Sequence, residues 1–492
     1  MARLFGTLAE AQAFVVAFRL PNMLRDLVAE GAVTSAAVPV LTSYRATREP
    51  REFWQLSQTL ASQLFVLLCG LSLLGVLAAG PIVRLIAPGF VHDHAKFALT
   101  VTLTRILFPL IFLVGFWAFF TGLLNSLHHF TMPALGPAIL NVAMIAACVW
   151  GVPRMQPGVL ALAIGVMIGG VLQVAIQLPT ARRLGFRWRW RWRHAGSREI
   201  LRLLGPRTFG SAVYQVSVFI DTALASLGSV VGEGAVAALY YANRLVQLPL
   251  AMFSTATAQA SLPSLAEQAA RGDMAGFQRT LLSVIRMVGF IIAPASVGLM
   301  VLARPIIQGL FERGAFDHNA TIMTTRVLIG YTTGLWAYSM SKILTGAFYA
   351  LRETRRPVIL AAEAVLINVA LSITLMFPLR AAGLAWAAAL SNTINAFRLF
   401  RHMERRLQAS LLRPILGSLI RSVLAAACMG LGCWALWTLG GLSAHPRLGL
   451  LVDILAGLVV YAAACHLFRV KEFATARRWL GTLQTAPPSG NE

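Results

Sequence analysis

The chain has 492 residues, of which 57% are hydrophobic and only 12% charged, with a mean hydropathy of +0.70. Soluble domains carry about 25% charged residues, so an ordinary cytosolic enzyme, a secreted disulfide scaffold and a disordered chain are all excluded. Apolar runs longer than about 18 residues recur, as in a polytopic helical membrane protein, without the alternation of outer-membrane barrel strands. The net charge of +23 would suggest a nucleic-acid partner in a soluble protein; here it fits basic residues gathered in cytoplasmic loops.

In chain order, spans are predicted over 8–44, 58–86, 98–124, 133–152 and 158–181. Further spans follow over 200–227, 233–263, 281–303, 321–350, 357–378, 381–401, 414–440 and 447–468, about 13 in all. The first is broken, with Pro21 and Gly31 bracketing the break. One set of loops is rich in arginine: Arg45 to Arg51, Arg182 to Arg198, Arg271 and Arg279, Arg352 to Arg356, Arg401 to Arg413, and Arg469 to Arg478. That set is assigned to the cytoplasm, which puts the C-terminus inside. The run Arg187-Trp188-Arg189-Trp190-Arg191-Trp192-Arg193 follows a span and is expected to anchor on anionic lipid at the interface rather than on nucleic acid. Cys69, Cys148, Cys428, Cys433 and Cys465 lie in apolar runs and read as small hydrophobes.

Landmarks recur at an offset of about 224 residues, which points to two parallel halves. Pro39 answers to Pro263, the turn at Ala87-Pro88-Gly89-Phe90 to the one opening at Phe311, and Pro133 to Pro357. Arg19-Leu20 and Arg244-Leu245 enter their spans alike. The organisation expected is an N-terminal lobe of five spans (1–181) and a basic cytoplasmic linker (182–199). A C-terminal lobe of six spans (200–404), two extra spans (405–478) and a disordered tail (479–492) follow. The partner of span 200–227 would fall before residue 1, so the first lobe is expected to lack its first helix. Restoring it would leave both termini cytoplasmic.

Ionisable residues inside a span are costly and usually face a cavity or a partner. Arg19 and Arg25 flank Pro21 and precede Glu30-Gly31; either they present guanidinium groups to a phosphate in a wet cavity, or they snorkel and pair with Asp26 or Glu30. Arg244 follows Tyr240-Tyr241-Ala242-Asn243 in an apolar run and answers to Arg19. Asp221 lies deep in its span, as a cation or proton site, a partner of Arg244, or a structural acid. Lys342 either lines a cavity or snorkels, and Glu363 is a weaker candidate. No Walker motif, HExxH or GxGxxG after a strand occurs, so any pumping draws on an ion gradient or the membrane potential. Two halves with inward arginines describe an alternating-access transporter of an anionic substrate, plausible classes being a phosphate or pyrophosphate.

The residues also resemble a known family. Ala17 to Arg25, Ala29 to Ala32, and Val38-Pro39 resemble the signature of the MurJ/MviN lipid II flippases. So do Ala87 to Phe90, Tyr240 to Leu245, Phe311 to Phe316, and Ala347 to Pro357. The resemblance covers essentially the whole chain and places it in the multidrug/oligosaccharidyl-lipid/polysaccharide exporter superfamily. It implies an all-α fold of two six-helix lobes plus two C-terminal helices that form a groove for the lipid tail. It implies export of undecaprenyl-pyrophosphate-linked peptidoglycan precursor across the bacterial inner membrane, with no enzymatic activity and no bound cofactor. Arg25 and Arg244 match head-group arginines, Glu30 a nearby acid, and Asp221 with Asn368 a cation site for Na+ or H+ coupling. The chain departs from the family pattern at Gln12, Asn243, Gln247 and Ser372, where acids are expected. The other classes consistent with the residues are an exporter of a different polyprenyl-linked glycan or amphiphile, and a non-transporting scaffold of the cell-wall machinery.

Overall fold

In a bilayer a helix satisfies its own backbone groups, so apolar runs of this length fold as helices. The computed structural model describes the backbone of residues 1–25, 34–439 and 446–474, and their side chains apart from 24, 25, 34–37, 201–214, 446 and 447. Among the described residues the regular structure is helical, with no strand. Contacts divide the chain into two units at Ala237–Ala238.

The first unit contains α1 (Ala2–Phe5), α2 (Ala9–Arg25), α3 (Thr34–Thr47), α4 (Pro50–Leu77), α5 (Ala79–Ile86) and α6 (His94–Leu107). It continues with α7 (Leu110–Ser126), α8 (Thr131–Ala146), α9 (Val159–Arg183), α10 (Ala195–Ala225) and α11 (Gly228–Val231). Helix α12 (Ala235–Pro249) crosses the division and opens the second unit. There follow α13 (Ala256–Ala270), α14 (Met274–Val301), α15 (Ala303–Phe311), α16 (His318–Thr333) and α17 (Leu335–Ala350). The chain then forms α18 (Arg355–Leu379), α19 (Ala381–Leu407), α20 (Leu412–Leu439) and α21 (Pro446–Leu467).

Among the described residues, eight helical segments are long and apolar enough to cross a membrane, Pro50–Leu77 and Leu448–Leu467 being the first and last in the chain. The expected spans 233–263 and 321–350 fall on helices that are interrupted, by the turn Leu250–Thr255 and at Gly334. Helix α4 shows the inversion a bilayer demands. Ser57, Gln58, Thr59 and Ser62 are buried near its start, while Leu67, Leu73, Leu74 and Leu77 are each more than half exposed toward its end.

The internal repeat is visible in the helix ends. Helix α4 runs Pro50–Leu77 and α14 runs Met274–Val301; α6 begins at His94 and α16 at His318; α8 begins at Thr131 and α18 at Arg355. Each pair keeps the spacing set by Pro39 and Pro263. The caps repeat as well: Asp93 accepts from the Lys96 amide at 3.0 Å, and Asp317 accepts from the Ala320 amide at 2.8 Å. Left-handed residues close α7 and α17 alike, His128 at φ 62° and Arg352 at φ 60°.

Helix α2 runs through Pro21 to Arg25, so the expected break does not fall at Pro21, and the rest of the stretch up to Gly31 lies outside the described residues. A proline removes one backbone hydrogen bond, and side chains in membrane helices commonly offset the loss. The Asn22 side-chain amide donates to the Phe18 carbonyl at 2.9 Å, next to the Ala17 carbonyl whose helical donor Pro21 removes. By its contacts helix α10 groups with the first unit, which ends at Ala237. Helix α10 packs on α3, α4, α5 and the turn Pro88–His92. Hydrogen bonds reinforce that grouping, from the Gly89 amide to Ser226 Oγ at 3.0 Å and from Lys96 Nζ to Glu233 at 3.1 Å. The tail expected over 479–492 and residues 26–33, Gly31 among them, lie outside the described residues.

Helices α20 and α21 pack on each other and on α14, where Tyr461 donates to the Phe290 carbonyl at 2.6 Å and Arg286 to the Pro414 carbonyl at 2.7 Å. Asp453, on α21, is fully buried, and among the described residues neither carboxylate oxygen has a partner within hydrogen-bond geometry. The Cys433 thiol beside it is directed to the Asp453 backbone carbonyl. A buried polar group without a partner costs about 1–3 kcal/mol. Asp453→Val is therefore expected to raise the thermal midpoint of the purified protein, and an unchanged or lower midpoint would mean that the carboxylate is stabilised in place.

Candidate functional site

The sequence-predicted cations are held in a common way. Arg19, half-buried on α2, donates to Thr222 Oγ1 on α10 at 2.5 Å. Thr222 is fully buried and donates its own proton to the Val218 carbonyl at 2.6 Å, which fixes the hydroxyl lone pairs toward Arg19. Asp221 adjoins that contact in sequence and is half-buried. Arg25 ends α2 with its side chain outside the described residues, and Glu30 lies outside them altogether.

In the second unit Arg244 is exposed and lies over the Tyr240 ring, 5.0 Å from its centroid, one helical turn away. Its Nη2 donates to the Tyr240 hydroxyl at 3.3 Å. Lys342 on α17 is exposed and donates to Thr255 Oγ1 at 2.8 Å. Thr255 closes a wide π-helical turn, Leu250–Thr255, directly after Pro249. That turn also sets Ser254 against Ser339 of α17, 2.6 Å between hydroxyls. Asn368, buried on α18, accepts from Ser391 of α19 at 3.5 Å, and Ser372 one turn further is buried with no hydrogen-bond partner for its hydroxyl among the described residues. Arg244, Lys342 and Asn368 thus meet different neighbours.

Some cations elsewhere in the chain are paired with acids, as Lys96 is with Glu233, Arg398 with Glu363 and Arg406 with Glu353. Among the described residues, Arg19, Arg244 and Lys342 are held by neutral hydroxyls. A hydroxyl orients a cation without cancelling its field, so such a group stays electrostatically available to an anion. Of these partners the sequence points to Tyr240, a turn before Arg244 in the same motif, and carries no signal for Thr222 or Thr255.

His194, in the loop after α9, caps α10 by accepting from the Gly196 amide at 3.2 Å through Nδ1. Burial disfavours its charged form and lowers its pKa below the ordinary value, with Arg191 acting in the same sense and Glu52 opposing. The cap's contribution is full above about pH 6.5, the value in the unfolded chain, and is lost as pH falls below it. Acidification from about pH 7.5 to 5.5 is expected to lower the thermal midpoint more in the wild type than in His194→Asn, whose side chain caps at either pH.

A family model described as lipid II flippase MurJ matches residues 1–445. The chain belongs to the lipid II flippase MurJ family. Among curated relatives, the lipid II flippase MurJ of Burkholderia cenocepacia is 35% identical over 413 residues, covering 82% of this chain and 79% of that one. The probable lipid II flippase MurJ of Rhizobium meliloti is 34% identical over 476 residues, covering 95% and 88%. A solved lipid II flippase MurJ in an inward closed conformation shares the fold with a TM-score of 0.80 at 24% identity, covering 95% of this chain and 94% of that one. An inward-facing MATE multidrug transporter of the MOP superfamily shares it at a TM-score of 0.69 and 14% identity, covering 83% and 95%. The chain is therefore a multi-pass helical membrane protein of a flippase family, and not an enzyme.

Proposed function

We propose that this chain is a lipid II flippase of the bacterial inner membrane, with its C-terminus in the cytoplasm. The family match over residues 1–445 supports the substrate class. The observation that carries the chemistry is the set of cations held by hydroxyls among the described residues, Arg19 on Thr222, Arg244 on Tyr240 and Lys342 on Thr255. A pyrophosphate-linked substrate needs positive groups that are oriented yet not neutralised, and Arg matches phosphate geometry bidentately. The substrate is undecaprenyl-pyrophosphate-linked peptidoglycan precursor, moved by alternating access through an arginine-lined cavity that also includes Arg25 and Glu30. Asp221 and Asn368 are proposed to serve a coupling Na+ or H+, with an ion gradient or the membrane potential as driving force. Contact with cell-wall synthesis machinery belongs to the same proposal.

The test is rescue of a bacterium depleted of its own lipid II flippase. Expression of this chain is expected to restore growth and to relieve accumulation of lipid II on the cytoplasmic face. Correct membrane insertion without rescue would remove lipid II as the substrate and favour a different polyprenyl-linked glycan.

A further inference from the structure

After α9 ends at Arg183, Gly185 turns the chain with φ 110°, and buried Phe186 plugs between Trp54, Phe119 and Phe120. Residues 187–193 then form no helix and lie along the start of α4, held there by side chains of that helix. Gln58 donates to the Arg187 carbonyl at 2.9 Å, Ser62 accepts from the Arg191 amide at 3.2 Å, and Gln63 donates to the Trp192 carbonyl at 2.9 Å. The segment is thus fixed in place.

The two residue types then separate. Trp188, Trp190 and Trp192 form a continuous row, centroids 5.6 and 6.0 Å apart, with the first two packed on Phe65. The three indoles are 38%, 55% and 55% exposed, a large aromatic surface with little covering it. Arg187, Arg189 and Arg193 are exposed, and among the described residues none of them has an ion pair. The position along α4 identifies the surroundings. Buried Gln58 and Ser62 lie just before Phe65, and exposed Val66 and Leu67 lie just after, so the row sits where α4 changes from polar to lipid-facing. Indole rings favour that depth, and guanidinium groups there meet phosphates.

We propose that residues 187–193 form a built docking surface for the head groups of anionic phospholipids in the surrounding bilayer. The Trp row seats at the head-group level, and Arg187, Arg189 and Arg193 take the lipid phosphates. Seven arginines between 182 and 198, with Glu199 the nearest acid in sequence, supply the complementary field.

The test uses the full chain reconstituted in phosphatidylcholine vesicles that contain a small fraction of brominated phosphatidylglycerol or brominated phosphatidylcholine. Tryptophan fluorescence is the readout. Wild-type protein is expected to be quenched about twofold more by the brominated phosphatidylglycerol, with the excess shrinking in high salt. The excess is expected to vanish in the Arg187→Gln/Arg189→Gln/Arg193→Gln variant and in the Trp188→Leu/Trp190→Leu/Trp192→Leu variant. Equal quenching of the wild type by both lipids would overturn the proposal without reference to any variant. So would an excess that survives the arginine substitutions, or selective binding of single-stranded RNA over phosphatidylglycerol vesicles by the same arginines.

Discussion

Arg19→Ala and Arg244→Ala are each expected to cut lipid II externalisation by about tenfold or more in flippase-depleted cells, at normal membrane levels of the protein. A hydrogen bond to a charged group is worth about 1.5–3 kcal/mol, and a bidentate phosphate contact sits at the upper end. Arg19→Lys keeps the charge but loses the planar fork, and is expected to retain intermediate activity. Thr222→Val removes the hydroxyl that orients Arg19 and is expected to give a smaller loss than Arg19→Ala. Full activity in both alanine variants would separate these arginines from the transport path.

Gly89→Ala is expected to destabilise the protein by about 3 kcal/mol or more, at the top of the range for overpacking. A Cβ at Gly89 would stand 2.1 Å from the Ser226 carbonyl oxygen and 2.8 Å from the Leu227 amide nitrogen. These are backbone atoms, so no side-chain rotation relieves the clash. The Gly89 amide also donates to Ser226 Oγ, so displacement would break that hydrogen bond as well. Gly70→Ala on α4 is the control: a Cβ there meets nothing within 4 Å, and alanine favours a helix over glycine by up to about 1 kcal/mol. Thermal unfolding in detergent separates the two, and equal midpoints would show that the turn does not hold α10 as described.

Much of the fold was legible in the sequence because burial in a bilayer imposes long apolar runs, and because prolines and turns recur at one spacing. The capping pair Asp93 and Asp317 shows how literal that repetition is. The partners of the cations were not legible. Thr222 and Thr255 read as ordinary small residues in apolar segments, and the contact of Thr222 with Arg19 joins positions far apart in the chain. The π-turn at Leu250–Thr255 announces itself only through Pro249, which an ordinary helix also tolerates in a membrane. Repeat arithmetic counts spans and does not report the hydrogen bonds that join Ser226 and Thr222 of α10 to Gly89 and Arg19. Asp453, like Asp221 a lone acid inside a predicted span, meets the same criterion of cost, and nothing in the pattern tells a buried acid from an exposed one.

The most direct measurement is lipid II translocation by the purified chain in proteoliposomes. Lipid II labelled on its peptide is placed in both leaflets, and a membrane-impermeant reagent reports the inner pool as it becomes exposed. The inner pool is predicted to become accessible far faster than in protein-free vesicles, with Arg19→Ala and Arg244→Ala returning the rate toward that background. Accessibility no faster than in protein-free vesicles, from protein that is folded and inserted, would contradict the account.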